Sequence, residues 1–196
     1  MKKLLLILLC VPLMFSCGEK DEEKDNTENT EENIIVPDAN FKAYLVSNTS
    51  LNTNGDTEIQ LSEVSSYEST IYCEGLNIAD LTGIENFTNL TYLNCDNNQL
   101  TSLDVSQNTA LTYLSCANNQ LTTLDVSNNT ALVSFCCKRN QLTSLDVSQN
   151  TALFTLSCDK NLLTYLNITN NSSLRHLYCD DNKFDCDALK KKLGLN

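Results

Sequence analysis

The sequence contains no tryptophan, one histidine and only five glycines among its 196 residues. The scarcity of glycine excludes the glycine-rich loops that hold phosphate groups, and a single histidine leaves little material for acid–base or metal chemistry. Cations are also scarce, because 13 Lys and Arg stand against 25 Asp and Glu, which gives a net charge of −12. A chain this acidic repels nucleic acid, so the sequence excludes a DNA or RNA partner.

The first 16 residues have the form of a secretory signal, with two lysines followed by the apolar run of residues 4–9. This run is too short to span a bilayer as a permanent helix. Cys17 follows directly, and residues 13–17, "LMFSC", resemble the cleavage box of a bacterial lipoprotein. The resemblance implies that Cys17 becomes an acylated, palmitate-bearing N-terminus that anchors the protein to a membrane. The alternative is an ordinary secretory signal with a chance cysteine behind it.

Residues 17–33 are predicted to form a solvated tether behind the lipid. Residues 19–32 hold eight acids, two lysines and no apolar side chain, so they cannot bury enough surface to become ordered. Acids this close behind Cys17 resemble the surface-export signal of lipoproteins in one Gram-negative phylum. Gly18 stands where the inner-membrane retention signal of enteric bacteria has aspartate. The resemblance implies a lipid-anchored outer-membrane protein on the cell surface of a Gram-negative bacterium.

Most of the remaining chain repeats a phrase of 21 residues, which reads "LTYLNCDNNQLTSLDVSQNTA" in the copy from Leu90. Further copies begin at Leu111, Leu132 and Leu153, a partial copy at Leu174, and a first copy with one extra residue at Glu68. Repeats of this length are typical of solenoids. Within one copy, Leu93 and Cys95 alternate with polar neighbours, the pattern of a strand with one buried face, and turn formers follow. Each copy therefore predicts a short parallel strand, a turn and an irregular return without a convex helix.

A cysteine occupies the inward strand position of every copy. These residues are Cys73, Cys95, Cys116, Cys137, Cys158 and Cys179. Stacked strands place neighbouring Cβ atoms roughly 4.8 Å apart, whereas a disulfide needs about 3.8 Å, so a ladder of reduced thiols is predicted. Cys136 falls on an outward strand position and Cys186 lies past the last strand, too many repeats apart for a bridge between them.

Asparagine recurs three residues after five of the ladder cysteines, at Asn98, Asn119, Asn140, Asn161 and Asn182. A buried amide both donates hydrogen bonds to the backbone and accepts them from it. We therefore interpret these residues as structural links between adjacent turns rather than as a row of surface ligands.

The phrase "NQLTSLDVSQNTALTYLSC", residues 98–116, resembles leucine-rich repeats. Residues 68–183 as a whole resemble the internalins with a cysteine ladder, in which cysteine replaces one consensus leucine. The resemblance implies a leucine-rich-repeat solenoid with parallel strands, an irregular convex side and small helical caps. Leucine-rich repeats mostly serve protein contact, and internalins are bacterial surface proteins linked to host interaction. A non-enzymatic lipoprotein that binds a protein partner is thus expected; an accessory subunit of an outer-membrane complex and a glycan-binding module stay open.

The stacked strands should form a concave face, and the copies differ most at its solvent-facing positions. The residues predicted to contact a partner there are Tyr92, Asn94, Asp96, Tyr113, Ser115, Lys138, Arg139, Asp159, His176, Tyr178 and Asp180. Tyrosine is enriched in binding hot spots because it buries a large area and keeps a polar tip. The alternative for Tyr92 and Tyr113 is that they only stack on each other and stabilise the sheet.

Catalytic residues are not predicted. His176, Tyr178 and Asp180 share one face of a predicted strand, but strand alternation alone produces this alignment, and no nucleophile or second histidine joins them. Cys136 has only Lys138 and Arg139 as nearby cationic support, so we interpret it as a surface substitution rather than a reactive thiol.

Residues 34–67 should form an N-terminal cap, in which Phe41, Tyr44 and Leu45 have helical spacing. Residues 52–63, "NTNGDTEIQLSE", resemble an EF-hand loop. Its candidate calcium ligands are Asn52, Asn54, Asp56, Glu58 and Glu63. The first position is Asn rather than Asp, and Thr57 replaces the glycine of the sixth position. Calcium binding is therefore expected to be weak, and the alternative is a vestigial loop that serves only as a cap.

Residues 184–196 should form the C-terminal cap that covers the open end of the solenoid. Asp185 or Asp187 is a candidate N-cap for a short helix, and Ala188, Leu189 and Leu193 would give it an apolar face.

Lipidation of Cys17 is directly testable. The substitution Cys17→Ala should move the protein from the detergent phase of membrane fractions to the aqueous phase, because the acyl chains supply the only predicted anchor. Unchanged membrane partitioning of the variant would contradict the prediction.

Overall fold

The computed structural model of the protein describes residues 32–68 and 70–194. The predicted signal segment, Cys17 and nearly all of the acidic tether lie outside the described residues, and these predictions stay predictions. Six short strands form one parallel sheet in which spatial order equals chain order. They are β1 (Thr70–Tyr72), β2 (Tyr92–Asn94), β3 (Tyr113–Ser115), β4 (Ser134–Cys136), β5 (Thr155–Ser157) and β6 (His176–Tyr178). We call the turn of chain that carries each strand a rung, numbered 1 to 6.

The rungs stack in register. The central residues of the strands pair one repeat apart, for example Leu93 with Leu114 and Leu114 with Phe135. These central side chains are buried in every rung, whereas the segments that return from one strand to the next contain turns and, in rung 1, a short 3-10 helix at Ile84–Asn86. The predicted solenoid with an irregular convex side is therefore confirmed.

The described residues contain three α-helices, which lie before and after the sheet: α1 (Ala39–Ser47), α2 (Leu61–Ser65) and α3 (Cys186–Leu193). In α1, Phe41 and Leu45 are fully buried against the solenoid, as their spacing predicted. Asp185 is the N-cap of α3, because its carboxylate accepts a hydrogen bond from the Ala188 N–H at 2.8 Å. In the part of the chain that the structure describes, no helix has both the length and the apolar character that crossing a membrane requires.

Five cysteines form a buried column of free thiols, one in each of rungs 1 to 5: Cys73, Cys95, Cys116, Cys137 and Cys158. The sulfurs of Cys73, Cys95 and Cys116 donate to carbonyl oxygens of the next rung; the Cys95 Sγ, for example, lies 3.4 Å from the Ser115 carbonyl oxygen. Burial raises the pKa of all five thiols, and that of Cys73 and Cys158 to about 12. The column consists of neutral thiols that act as small core side chains.

Cys179 in rung 6 departs from the prediction of a reduced thiol. It forms a disulfide with Cys186, and the two Cα atoms are 5.6 Å apart, within the range that a disulfide requires. No further strand follows β6 in the described chain, so Cys179 has a ladder neighbour, Cys158, on one side only. The chain turns back into α3 instead, and the first residue of that helix approaches Cys179 from another direction.

The asparagines that follow the cysteines link adjacent rungs. The Asn98 Nδ2 donates to the carbonyl oxygens of Cys73 and Cys95, at 2.8 and 3.1 Å, and its Oδ1 accepts from the Ile78 N–H at 3.0 Å. The same pattern recurs through Asn119, Asn140, Asn161 and Asn182. These residues therefore have the structural role expected of them.

A second asparagine column lies in the return segments. Asn108, Asn129, Asn150 and Asn171 are almost completely buried. The Asn108 Nδ2 donates to the carbonyl oxygens of Ile84 and Phe87, and its counterparts repeat this one rung further on. The sequence analysis counted these asparagines among the turn formers that follow each strand; their recurrence every 21 residues was the signal that could have identified the column.

The N-terminal cap closes the free edge of β1 with two tyrosine hydroxyl groups. The Tyr44 hydroxyl accepts from the Tyr72 N–H at 2.9 Å, and the Tyr67 hydroxyl donates to the Thr70 carbonyl oxygen at 3.1 Å. Since an open strand edge can pair with another chain, these contacts protect the first rung from edge-to-edge association.

Asp38 joins this cap to the solenoid through one carboxylate. Its Oδ1 accepts from the N–H groups of Asn40 and Phe41 at the start of α1, both at 2.9 Å. Its Oδ2 accepts from the N–H groups of Ala79 and Asp80 in rung 1, at 2.8 and 3.3 Å. Burial alone raises the pKa of Asp38, but the four backbone donors outweigh it and lower the pKa below its usual value.

We expect Asp38→Ala to lower the free energy of unfolding by about 1–3 kcal/mol near neutral pH, because it removes an N-cap and leaves two rung 1 donors unpaired. The folded pKa of Asp38 lies below the unfolded one. The Asp38 carboxylate therefore stabilises the folded protein fully above its unfolded pKa of about 3.9. This stabilisation is lost as the pH falls through the folded pKa. The difference in denaturant midpoint between wild type and variant should accordingly shrink toward pH values of about 2–3.

Asp104→Ala is the matched control for this prediction. The Asp104 carboxylate also has a lowered pKa, caused first by its hydrogen bond from the Ser106 N–H at 2.9 Å, but that bond stays within one turn. The control should lose only about 0.5–1 kcal/mol. Equal losses in the two variants would contradict the role of Asp38 as a link between cap and solenoid.

The burial of the thiol column predicts selective alkylation. Among the free cysteines in residues 32–68 and 70–194, Cys136 is the one that is not buried, so it should react fastest with iodoacetamide in the native protein. Peptide mapping by mass spectrometry should find the five ladder thiols protected until denaturant is added. Cys136→Ser should abolish the fast phase, and rapid labelling of several ladder cysteines would contradict the buried column.

Candidate functional site

The concave face is the surface on which the predicted contact residues lie, since the outward positions of the six strands all point to this side of the sheet. Tyr92 and Tyr113, on adjacent rungs, are half-buried and stack on each other, with ring centroids 4.0 Å apart and ring planes within 2° of parallel. Burial is the main cause, and the neighbouring Tyr92 hydroxyl the second cause, that raises the pKa of Tyr113 to about 12. The Tyr113 phenol is therefore neutral. This geometry agrees with the stacking alternative: a large part of each ring is already in contact with its neighbour.

Asn94 and Ser115 were predicted to be exposed, and the structure corrects this. They are only 5% and 2% exposed. The Ser115 hydroxyl donates to the Asp96 Oδ1 at 2.6 Å, and the Asn94 Oδ1 accepts from the Asp96 N–H at 3.0 Å. Strand alternation puts both residues on the concave side, but both are buried there and bonded to Asp96. Their side chains therefore present little surface on the concave face.

Asp96 is half-buried beside them. Burial raises its pKa, although hydrogen bonds from the Ser115 hydroxyl and the Ala117 N–H act in the opposite direction. Both of these donors bind the same carboxylate oxygen, each at 2.6 Å. The first half of the concave face is thus a closed surface in which the polar groups of rungs 2 and 3 satisfy one another.

The second half of the concave face is open. Its rungs 4 to 6 surround a depression of about 470 Å³, which is lined by Lys138, Ser157, Asp159, Lys160, Tyr178, Asp180 and Asp181. The Tyr178 ring stands at its edge and is 51% exposed. Asp180 forms an ion pair with Lys190 of α3 at 3.3 Å, so the C-terminal cap borders the depression. The structure therefore brings Lys138, Asp159, Tyr178 and Asp180 together. Tyr113 and Tyr92 lie outside this group, one and two rungs before rung 4.

Two apolar side chains beside this half were missed by sequence reasoning. Val133 and Phe154 directly precede β4 and β5 and are 44% and 45% exposed. The Phe154 ring packs edge-on against the His176 ring, with centroids 5.2 Å apart. The sequence did contain a signal for them, because the equivalent positions of the earlier copies are the polar residues Thr91 and Thr112.

The EF-hand-like loop is held by its own side chains. Glu63, in the last position, is buried; its Oε1 accepts from the Thr53 N–H at 2.7 Å and its Oε2 from the Gln60 N–H at 3.1 Å. The Asn52 Oδ1 accepts from the Gly55 N–H at 3.0 Å. The Glu58 carboxylate forms an ion pair with Lys42 of α1 at 2.7 Å.

The remaining candidate ligands also bond to one another. The Asp56 Oδ1 accepts from the Glu58 N–H at 2.7 Å, and its Oδ2 accepts from the Asn54 side-chain amide at 2.9 Å. Calcium would have to displace these donors and the Lys42 ammonium group to reach the oxygen atoms. Weak calcium binding by residues 52–63 stays a prediction, and the hydrogen bonds supply a reason why the loop keeps its shape without an ion.

Other chemistry-bearing groups are scattered over the described residues. No three His, Cys, Asp or Glu side chains within residues 32–68 and 70–194 converge in a way that could hold a metal ion. Cys136 is half-buried in β4 and free, and His176 faces solvent in β6 beside Phe154.

No family model matches the chain. Internalin J of Listeria monocytogenes is 43% identical to it over 78 residues, which are 39% of this chain and 8% of internalin J. The functional domain of InlJ from the same species, which includes a cysteine ladder, superimposes with a TM-score of 0.54 at 33% identity. That superposition covers 81% of this chain and 44% of the InlJ domain, so the chain spans less than half of the domain and a small part of whole internalin J.

The internalin InlF of Listeria monocytogenes shows the same fold, with a TM-score of 0.71 at 24% identity over 86% of this chain and 52% of that one. At this identity the likeness concerns the fold alone. The similarity to internalin J goes further than the fold, because it is a similarity of sequence and because the InlJ domain includes a cysteine ladder, as the repeats of this chain do. The chain is an internalin-like leucine-rich-repeat protein.

Proposed function

We propose that this protein is a non-enzymatic, lipid-anchored surface protein that binds a protein partner through the concave face of its repeats. The observation that carries the proposal is the open half of that face, where Tyr178 and a set of charged side chains surround the depression across rungs 4 to 6. Stacked repeats generate extended concave surfaces of the kind that solenoid proteins use for binding.

The size and composition of the face fit a modest protein interface. Six strands at about 4.8 Å spacing give a sheet roughly 24 Å across, which suits a contact at the lower end of the usual range. Tyrosine and arginine are enriched at the centre of such interfaces, and exposed tyrosine loses little side-chain entropy when it is bound. Tyr178 supplies the exposed aromatic group, and the charges around it supply specificity.

The absence of a catalytic grouping in the described residues supports a binding role over an enzymatic one. The single histidine contacts Phe154, and the candidate acids of the concave face are engaged with Ser115, Ser157 or Lys190. The depression is open to solvent, whereas a catalytic site needs convergent groups that exclude water.

The location of the protein is part of the same proposal. The acidic tether and the lipoprotein-like box at Cys17 support a lipid anchor in the outer membrane with the repeats outside the cell. An internalin-like repeat domain is consistent with that position, because a binding face needs access to its partner.

The function is tested by comparing two exposed tyrosines on different surfaces. Tyr178 is 51% exposed on the concave face, whereas Tyr165 is 69% exposed in the return segment behind β5. Beads coated with the protein should bind to fixed host cells. Tyr178→Ala should reduce this binding by about thirtyfold, as expected for a hot spot worth about 2 kcal/mol.

Tyr165→Ala should bind as the wild type does, and circular dichroism of both variants should show an unchanged fold. Loss of binding in Tyr165→Ala with retention in Tyr178→Ala would place the binding face elsewhere. Binding to a glycan array that Tyr178→Ala removes would favour a carbohydrate ligand over a protein partner.

A further inference from the structure

One residue in each rung has a left-handed backbone, with φ between 54° and 57°: Asn77, Asn97, Asn118, Arg139, Lys160 and Asp181. Asparagine and aspartate tolerate this conformation best among residues with a side chain, because their short polar groups bond locally. Arg139 and Lys160 have no such compensation. Rungs 4 and 5 therefore carry cations at positions where asparagine, the residue of rungs 1 to 3, would be less strained.

The backbone N–H groups of Arg139 and Lys160 bond to the next rung as those of Asn97 and Asn118 do, so these bonds do not compensate for the change of side chain. The side chains of Arg139 and Lys160 are exposed and form no hydrogen bond or ion pair with residues 32–68 and 70–194. Lys42 and Lys190, in contrast, are paired with Glu58 and Asp180. Residues held in rare backbone conformations cluster at functional sites, where the strain is maintained for a purpose other than stability.

The two cations are neighbours at the edge of the open half of the concave face. The Arg139 N–H donates to the Asp159 carbonyl oxygen at 2.9 Å and the Lys160 N–H to the Asp180 carbonyl oxygen at 2.8 Å, so the two residues occupy equivalent places on successive rungs. Their backbones are thus about 4.8 Å apart, a distance that lets both side chains reach the same group. Lys160 also lines the depression together with Tyr178.

We propose that Arg139 and Lys160 bind a carboxylate side chain of the protein partner, an inference that rests on the proposed function. A guanidinium group presents parallel N–H donors that match the two oxygens of a carboxylate, and an ammonium group adds a second charge-assisted hydrogen bond. The acids Asp159, Asp180 and Asp181 flank the pair, and the whole chain carries a net charge of −12. An extended polyanion would be repelled by these charges, so the ligand is a single Asp or Glu side chain within a polypeptide.

The strain gives this proposal a stability readout that is independent of any partner. Arg139→Asn and Lys160→Asn should each raise the melting temperature of the full-length protein by about 2 °C, since asparagine fits the left-handed position better. Lys183→Asn is the matched control: it removes the same charge at an exposed position whose φ is not positive, so it should not raise the melting temperature. Equal shifts in the three variants, or a lower melting temperature in the first two, would overturn the strain argument.

The binding readout uses an array of short peptides, each synthesised once with Glu and once with Gln in its place. The wild-type protein should bind a subset of the Glu peptides and lose at least about tenfold in affinity for their Gln counterparts. The double variant Arg139→Asn, Lys160→Asn should lose that preference, whereas Lys183→Asn should keep it, and added salt should weaken the binding.

Equal binding to Glu and Gln peptides, binding to neither, or a preference that survives in the double variant would overturn the carboxylate site. None of these outcomes bears on the concave face as a whole, which the comparison of Tyr178→Ala with Tyr165→Ala tests separately.

Discussion

Asparagine amides bonded across two rungs fix the spacing on which the whole solenoid depends. In each of rungs 2 to 6 one amide, such as that of Asn98, donates to two carbonyl oxygens on consecutive turns and accepts from a third backbone group. Turns of irregular chain leave many polar backbone groups unpaired, and burying them without partners would cost more than the apolar core returns. The two asparagine columns satisfy these groups on opposite sides of the core. The short strands can then stack in register, and the concave columns follow from that register.

A stack held by contacts between neighbours has two ends that nothing in the repeat can cover, and this protein closes them by different means. At the first rung, two tyrosine hydroxyls bind the free edge of β1 and the Asp38 carboxylate joins α1 to the chain beyond it. At the last rung, the disulfide between Cys179 and Cys186 fixes α3 near the end of the sheet, and the Lys190–Asp180 ion pair adds a second link. The cap at this end thereby also becomes part of the border of the open concave half.

The repeat architecture could be predicted from the sequence because one period determined it. Alternation around Leu93 and Cys95 identified the strands, and the 21-residue spacing identified their order. The disulfide could not be predicted, since it depends on how the chain turns after β6, where the period ends. The burial of Asn94 and Ser115 could not be predicted either, because alternation describes the direction of a side chain and not the size of its neighbours. The left-handed backbone at Arg139 and Lys160 could have been predicted, because the equivalent residues of the first three rungs are asparagine, which favours this conformation.

The buried thiol column also has a consequence for the order of events during folding. In the unfolded chain every cysteine is accessible and has an ordinary thiol pKa of about 8.5, so wrong disulfides could form in an oxidising compartment. Disulfide formation takes seconds to hours, whereas small domains fold in microseconds to seconds, and each rung here pairs with the next one along the chain. Folding can therefore remove the five ladder thiols from the oxidant before it acts on them. The disulfide between Cys179 and Cys186 joins two cysteines only seven residues apart. Its short loop can close before distant parts of the chain have folded.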